Sequence, residues 1–233
     1  MNSVNITVAS YVDGVNTRAY NFCMVRSSPR RPRKKPADRY HHGDLRRALL
    51  DEALRTIQVH GVNHLTLRTV GGKLGLSRSA LYRHFADKQA LVAAVGCEGF
   101  RMLRQAIADA WEQNGRGRAG FEAMARAYVQ FAVAHPSHYR VIFGGFIESA
   151  TKDEDFMGEA RAAFQVLVDA LVDQQNTGLI RRDNPVLMAR FVWAVVHGIS
   201  MLVIDGQLRE AGQRELLEQY AIERLRGTLA AVV

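Results

Sequence analysis

Residues 66–91 run TLRTVGGKLGLSRSALYRHFADKQAL, from Thr66 to Leu91. Two short apolar-periodic segments lie in this stretch, one on each side of Gly75. Thr66 is placed to cap a helix through Leu74, Ser77 to cap a second ending near Phe85, and Ala86-Asp87 to restart a third, long one. The turn between the first two needs a residue tolerant of positive φ, which Gly75 supplies. Leu67, Val70, Leu74, Leu76, Leu81 and Phe85 are left as the small core that holds the pair together. Two helices joined through such a turn make a helix-turn-helix. Its second helix must fit a groove about 12 Å wide, so short polar residues belong at its start. Ser77, Arg78, Ser79 and Ala80 meet that need.

The charge around this stretch points the same way. The 233-residue chain has a formal net charge of +8. From Arg26 to Lys88 there are 15 Lys/Arg against five acids, leaving 16 against 18 elsewhere. Excess positive charge confined to one segment is the footprint of a polyanionic partner, where a uniform bias would describe only a solvated surface. Residues 26–39 (RSSPRRPRKKPADR) hold seven basic side chains and three prolines, a composition for an extended arm and not a helix. Such an arm can follow phosphates, enter a minor groove, or simply solubilise. Residues 1–39 as a whole are expected to form a disordered tail carrying this arm. Met24, directly before the arm, is an alternative translation start, and Asn5-Ile6-Thr7 a chance match to a glycosylation acceptor.

On both sides of the quoted stretch the apolar spacing is helical. Leu45, Leu49, Ala53 and Ile57, broadened by Leu50 and Leu54, predict a helix from His42 to a stop at Gly61. The helix restarted at Asp87 carries Leu91, Val95, Leu103, Ile107 and Trp111 and breaks in the stretch 114–120. Then come a helix from Phe121 to His135 and a shorter one through Tyr139 and Phe146. After a loop at 144–155 another runs through Phe164 and Leu171 and stops at Gly178. Asn184-Pro185 opens an apolar helix to Ile204, and a last helix spans about 211–230. No strand pattern and no repeat is present. The expected architecture is all-α, with a helix-turn-helix domain over 40–88 and a larger helical domain over 89–233. With 48% hydrophobic and 23% charged residues the composition is that of a globular chain. No apolar run is expected to reach the ~20 residues of a membrane span, and residues 1–10 lack a secretory signal. Cys23 and Cys97 are too few for a disulfide framework, so the cytoplasm is the expected compartment.

Taken together, the turn Gly75-Leu76-Ser77, the run Leu81-Tyr82-Arg83-His84-Phe85 and the restart Asp87-Lys88-x-x-Leu91 resemble the DNA-binding signature of the tetracycline-repressor (TetR) family, over residues 43–91. Farther on, Trp193-x-x-x-His197-Gly198 is preceded by His135-Pro136-x-x-Tyr139-Arg140-x-x-Phe143. This pair of motifs is similar to the TetR subgroup with a Trp-His-Gly (WHG) ligand domain. The resemblance implies a sequence-specific transcriptional regulator, by family default a ligand-responsive repressor that binds a palindromic double-stranded operator as a homodimer. It implies base-edge contacts from Arg68, Arg78, Ser79 and Ala80, since arginine can donate two bonds to guanine and alanine can touch a thymine methyl. Thr66, Tyr82, His84 and Lys88 are expected at phosphates, with Ser77 opening the reading helix. Gly71-Gly72 departs from the family pattern, which has alanine and then a non-glycine residue. At about 1 kcal/mol for each glycine, the first motif helix is expected to be loose until DNA orders it.

The resemblance further implies a four-helix interface built by the last two long helices and their symmetry mates. Leu187, Phe191, Val195, Ile199 and Val203 step along one side, with Leu216, Leu217, Tyr220 and Leu225 on the final helix. Two reading helices would then meet half-sites about 34 Å apart. A cavity between the middle helices is the expected site of an unknown small-molecule effector. Its candidates are Trp111, Met124, Tyr128, Tyr139, Phe143, Phe164, Trp193 and His197, against the alternative that these are simple core. His197, polar within an apolar helix, must find a partner. The cluster His135-Pro136-Ser137-His138 with Asp153, Glu154 and Asp155 has no third ligand at recognisable spacing, so no catalysis, metal or cofactor is expected. Nothing beside Cys97 would lower its pKa for redox sensing. The alternative in another class is a non-specific nucleoid-type DNA-binding protein held by the basic arm, separable by a specificity ratio at fixed salt.

Overall fold

The computed structural model describes residues 42–147, 153–210 and 212–230. The expectations for the tail, the basic arm, Met24, Cys23 and Asn5 lie outside the described residues. Within them the order is α1 (His42–His60), a 3-10 turn (Val62–His64), α2 (Leu67–Lys73), α3 (Arg78–Tyr82), α4 (Lys88–Gln113), α5 (Gly117–Ala134), α6 (Pro136–Phe143), α7 (Glu154–Asn176), α8 (Pro185–Ile204) and α9 (Gln213–Leu229). Extended pairing among the described residues amounts to one bridge, between Ile180 and Ala230. The fold is all-α.

Cap residues set five of the helix starts. Thr66 Oγ1 accepts from Thr69 N at 3.0 Å while Thr66 N donates back to Thr69 Oγ1 at 3.1 Å. Ser77 accepts from Ala80 N, Asp87 from Ala90 N, Asp153 from Phe156 N, and Asn184 from both Val186 N and Leu187 N. Each satisfies amide donors left open at a helix start, a contribution of about 1 kcal/mol. Helix α3 is shorter than its sequence pattern predicts. It ends at Tyr82, and His84 N and Phe85 N then both donate to the Leu81 carbonyl, tightening the chain into a turn.

Helices α1 to α3 close around Leu49, Ala53, Leu65, Val70, Leu81 and Phe85. Glu52, a buried carboxylate, is met by Lys73 Nζ and Arg55 Nη1, each at 3.0 Å, which ties α2 to α1. Helix α4 packs against α5, α6 and α7; α8 lies on α5 and α7, and α9 on α8 and α5. At 26 residues α4 is about 39 Å long. The described residues fall in one compact unit, and the expected boundary at 88/89 falls inside the first turn of α4.

Helix α8 corrects two expectations. It has 20 residues, and an 18-residue stretch of it has a mean hydropathy of 1.9, enough by length and composition to cross a membrane, where no such run was expected. The second concerns its apolar side. Leu187 is 59% exposed, but Ile199, from the same expected series, is buried. Steps of four residues turn an α-helix by about 40° each beyond a full circle, so the series drifts from the outer face into the core. The exposed stripe is Leu187, Phe191, Ala194, Gly198 and Leu202. Leu216 and Tyr220 extend exposed apolar surface onto α9, whereas Leu225 is core.

Candidate functional site

Helices α2 and α3 meet through the Gly75 turn, whose φ of 66° lies in the left-handed region that favours glycine. The approach is close at Gly71, where an added Cβ would overlap the buried Leu81 side chain. Nothing lies within 4 Å of a Cβ added at Gly72. The looseness expected of the glycine pair is therefore replaced at Gly71 by tight helix–helix packing. Facing away from this small core, Thr66, Arg68, Ser77, Arg78, Ser79 and Tyr82 are exposed, while Ala80, His84 and Lys88 are half-buried. The Arg78 guanidinium sits over the Tyr82 ring, 5.6 Å from its centroid, a cation–π contact that orients both outward side chains. Lys88 Nζ donates to the Asn63 carbonyl at 3.4 Å, at the start of α4. Thr66 and Ser77 serve the helix starts as caps. From Thr66 to Lys88 the chain has five Lys/Arg and one acid, Asp87, so this face presents a surface suited to phosphates.

In the helical body, a cavity of about 140 Å³ lies between the middle helices. Phe100, Leu103 and Ile107 of α4 form one wall; Tyr128 of α5 and Phe143 of α6 form another. Ala160, Ala163 and Phe164 of α7 and Trp193 of α8 complete it. Of the eight expected residues, Tyr128, Phe143, Phe164 and Trp193 line the cavity. Met124 instead borders a hollow of about 30 Å³ beside it, together with Tyr128. Trp111 is core on the last turn of α4. Tyr139 and His197 form a polar cluster behind the Tyr128 hydroxyl. Tyr139 Oη lies 2.7 Å from His197 Nδ1, Tyr128 Oη is 3.2 Å from Tyr139 Oη, and Trp193 Nε1 donates to Tyr128 Oη at 2.9 Å. The partner required of His197 is thus a pair of tyrosines. Burial pushes the Tyr139 phenol up to about 12 and the His197 imidazole down, so both stay neutral at ordinary pH. Sequence reasoning missed Phe100, Ala160 and Ala163, and read Leu103 and Ile107 only as core.

A larger hollow lies elsewhere, an open cleft of about 850 Å³ flanked by α1, α4 and the start of α7. Its rim is charged, and Arg101 Nε pairs there with Glu159 Oε1 at 2.8 Å. Cys97, on its floor, is buried, and burial pushes the thiol up, away from reactivity. Nearby, Glu98 of α4 joins two other helices. Arg47 Nη1 of α1 donates to Glu98 Oε2 at 2.7 Å, and His138 Nε2 of α6 lies 3.3 Å from Glu98 Oε1 without hydrogen-bond alignment. Among the described residues no three His, Cys, Asp or Glu gather as metal ligands.

Residues 49–95 match bacterial regulatory proteins of the tetR family, and residues 121–225 match the tetracyclin repressor-like C-terminal domain. The chain belongs to the tetR family. The first match spans α1 to the start of α4, including the helix pair, and the second spans α5 to α9. A solved structure of a protein of unknown function from Rhodococcus sp. RHA1 is 32% identical, covering 83% of this chain and 99% of its own, with a TM-score of 0.75. YobS of Bacillus subtilis, an uncharacterised HTH-type transcriptional regulator, is 28% identical over 74% of this chain and 84% of its own length. The TetR family transcriptional regulator PfmR of Thermus thermophilus shares the fold, with a TM-score of 0.62 at 20% identity, over 76% of this chain and 97% of its own. This tetR-family chain is a DNA-binding transcriptional regulator of the helix-turn-helix type.

Proposed function

We propose that the regulator is a cytoplasmic, ligand-responsive repressor that binds an inverted-repeat operator as a homodimer. The observation that carries the reading is α4. Its capped start adjoins the helix pair, and Phe100, Leu103 and Ile107 of the same helix wall the apolar cavity. A molecule in that cavity bears on the element that continues the chain from the DNA-facing helices and packs on α1. In this reading α3 lies in the major groove. Arg68, Arg78, Ser79 and Ala80 meet base edges, and Thr66, Tyr82, His84 and Lys88 meet phosphates. The exposed apolar stripe of α8, with Leu216 and Tyr220, supports pairing of two protomers, because so much open apolar surface favours burial against a copy of itself. The effector belongs in the apolar cavity and not in the larger cleft, whose ion-paired rim stays wet. The effector then acts by binding better to the dimer whose α3 helices are out of register with DNA.

Selection of bound genomic fragments by the full chain, followed by footprinting, tests this. A protected inverted repeat bound well above scrambled duplex at the same salt, by a dimer in light scattering, is the expected result. A specificity ratio near unity would instead make the protein a non-specific DNA coater and sink the reading.

A further inference from the structure

The walls of the 140 Å³ cavity define what can occupy it. No wall residue is charged. The polar wall groups, Tyr128 Oη and Trp193 Nε1, are already bonded to each other at 2.9 Å, and Tyr128 Oη also reaches Tyr139 Oη at 3.2 Å. An ion entering here would lose its water and gain no counter-charge, and burying an uncompensated charge is strongly unfavourable. The rings around the void already meet edge to face or tilted. Phe100 and Phe143 have centroids 5.8 Å apart, Phe143 and Trp193 5.9 Å, and Phe164 and Trp193 6.1 Å. A further ring continues that pattern with favourable edge-to-face contacts. The volume sets the size, since an apolar cavity of roughly 150 Å³ holds one benzene-sized molecule.

We infer that the regulator's effector is an uncharged, single-ring aromatic molecule, an assignment of ligand class that rests on the cavity reading above. One small uncharged polar substituent is accommodated. Analogues carrying a carboxylate or an ammonium group are disfavoured by the lack of a wall charge, and the volume suits one ring better than several fused ones.

The experiment titrates the full chain with toluene, phenol, benzoate and benzylammonium, following tryptophan emission and the thermal midpoint. Toluene and phenol are expected to raise the midpoint and change the emission. Benzoate and benzylammonium should bind more weakly by about tenfold or more. In Ala160→Leu, which fills the cavity from α7, the toluene response should vanish. Trp111→Phe lies off the cavity and leaves Trp193 as the sole tryptophan. There both the thermal and the emission response to toluene should persist. This second variant keeps the test decisive if Ala160→Leu folds poorly, because a raised midpoint with no change in Trp193 emission would place the ligand outside the cavity. If benzoate binds as tightly as toluene and filling the cavity removes both, the ligand class is wrong and the cavity reading stands. If toluene binding survives filling, or no probe binds at all, both are overturned.

Discussion

Gly71 and Gly72 stand side by side in α2 with opposite surroundings. At Gly71 the missing side chain is the space that Leu81 fills; at Gly72 the same absence faces open solvent. Gly72→Ala should therefore stabilise the protein by about 1 kcal/mol through helix propensity alone. Gly71→Ala should destabilise it by about 1–3 kcal/mol, because a well-packed Leu81 must move. Urea unfolding of the two variants, with unchanged slope, measures both; equal effects of the same sign would refute the distinction. Sequence shows two glycines and a propensity cost, but only the packing tells which one is a seat for a neighbour. His197 is a similar case. Its need for a partner was legible, but the partners, Tyr128 and Tyr139, come from helices 58 or more positions away. Burial lowers the pKa of both His197 and His138, with Glu98 opposing it at His138. Between the ordinary histidine value near 6.5 and these depressed values the unfolded chain takes up protons that the folded form refuses. Stability is then fully present above pH ~6.5 and is lost as pH falls toward the folded values. The thermal midpoint should drop from pH 7.5 to 5.5, and His197→Gln should flatten the drop; an unchanged slope in that variant would show that His197 does not titrate this way.

Helix existence was legible because the helices carry their own apolar spacing and several their own caps: Thr66, Ser77, Asp87 and Asn184 all sit where their side chains accept from the first turn. Which face of a long apolar helix stays open was not, since a spacing of four fits either face until rotation is counted. For α8 the distinction has a direct test. Leu187 and Phe191 are exposed in the protomer, so Phe191→Glu should leave folding intact yet yield monomers in light scattering. Its operator affinity should fall by more than about tenfold. A Phe191→Glu protein that stays dimeric would move the interface elsewhere. Glu98 is the corresponding residue between elements, holding α1 through Arg47 and facing α6 through His138. Removing its charge in Glu98→Gln leaves burial as the main influence on His138. Its NMR titration should then move farther down, with a loss of about 1 kcal/mol of stability given how exposed Arg47 is; an upward move would exclude Glu98 as a source of support for the protonated ring.

At the scale of the molecule, the reading half and the cavity half differ in how openly sequence declares them. The helix pair is a local motif whose residues adjoin in sequence, so Thr66 to Lys88 could be named in advance. The cavity is assembled from five helices, and its small wall residues Ala160 and Ala163 matter for the space they leave, which no local pattern records. What joins the halves is one unbroken helix, and its length has a mechanical consequence. A rod of about 39 Å works as a lever arm. Pivoting it by only about 5° at its distal end carries the Asp87 end through roughly 3 Å, the length of one hydrogen bond. A guest that wedges the walls apart by a fraction of its own width would thus be enough to lift Arg78 beyond reach of a base edge.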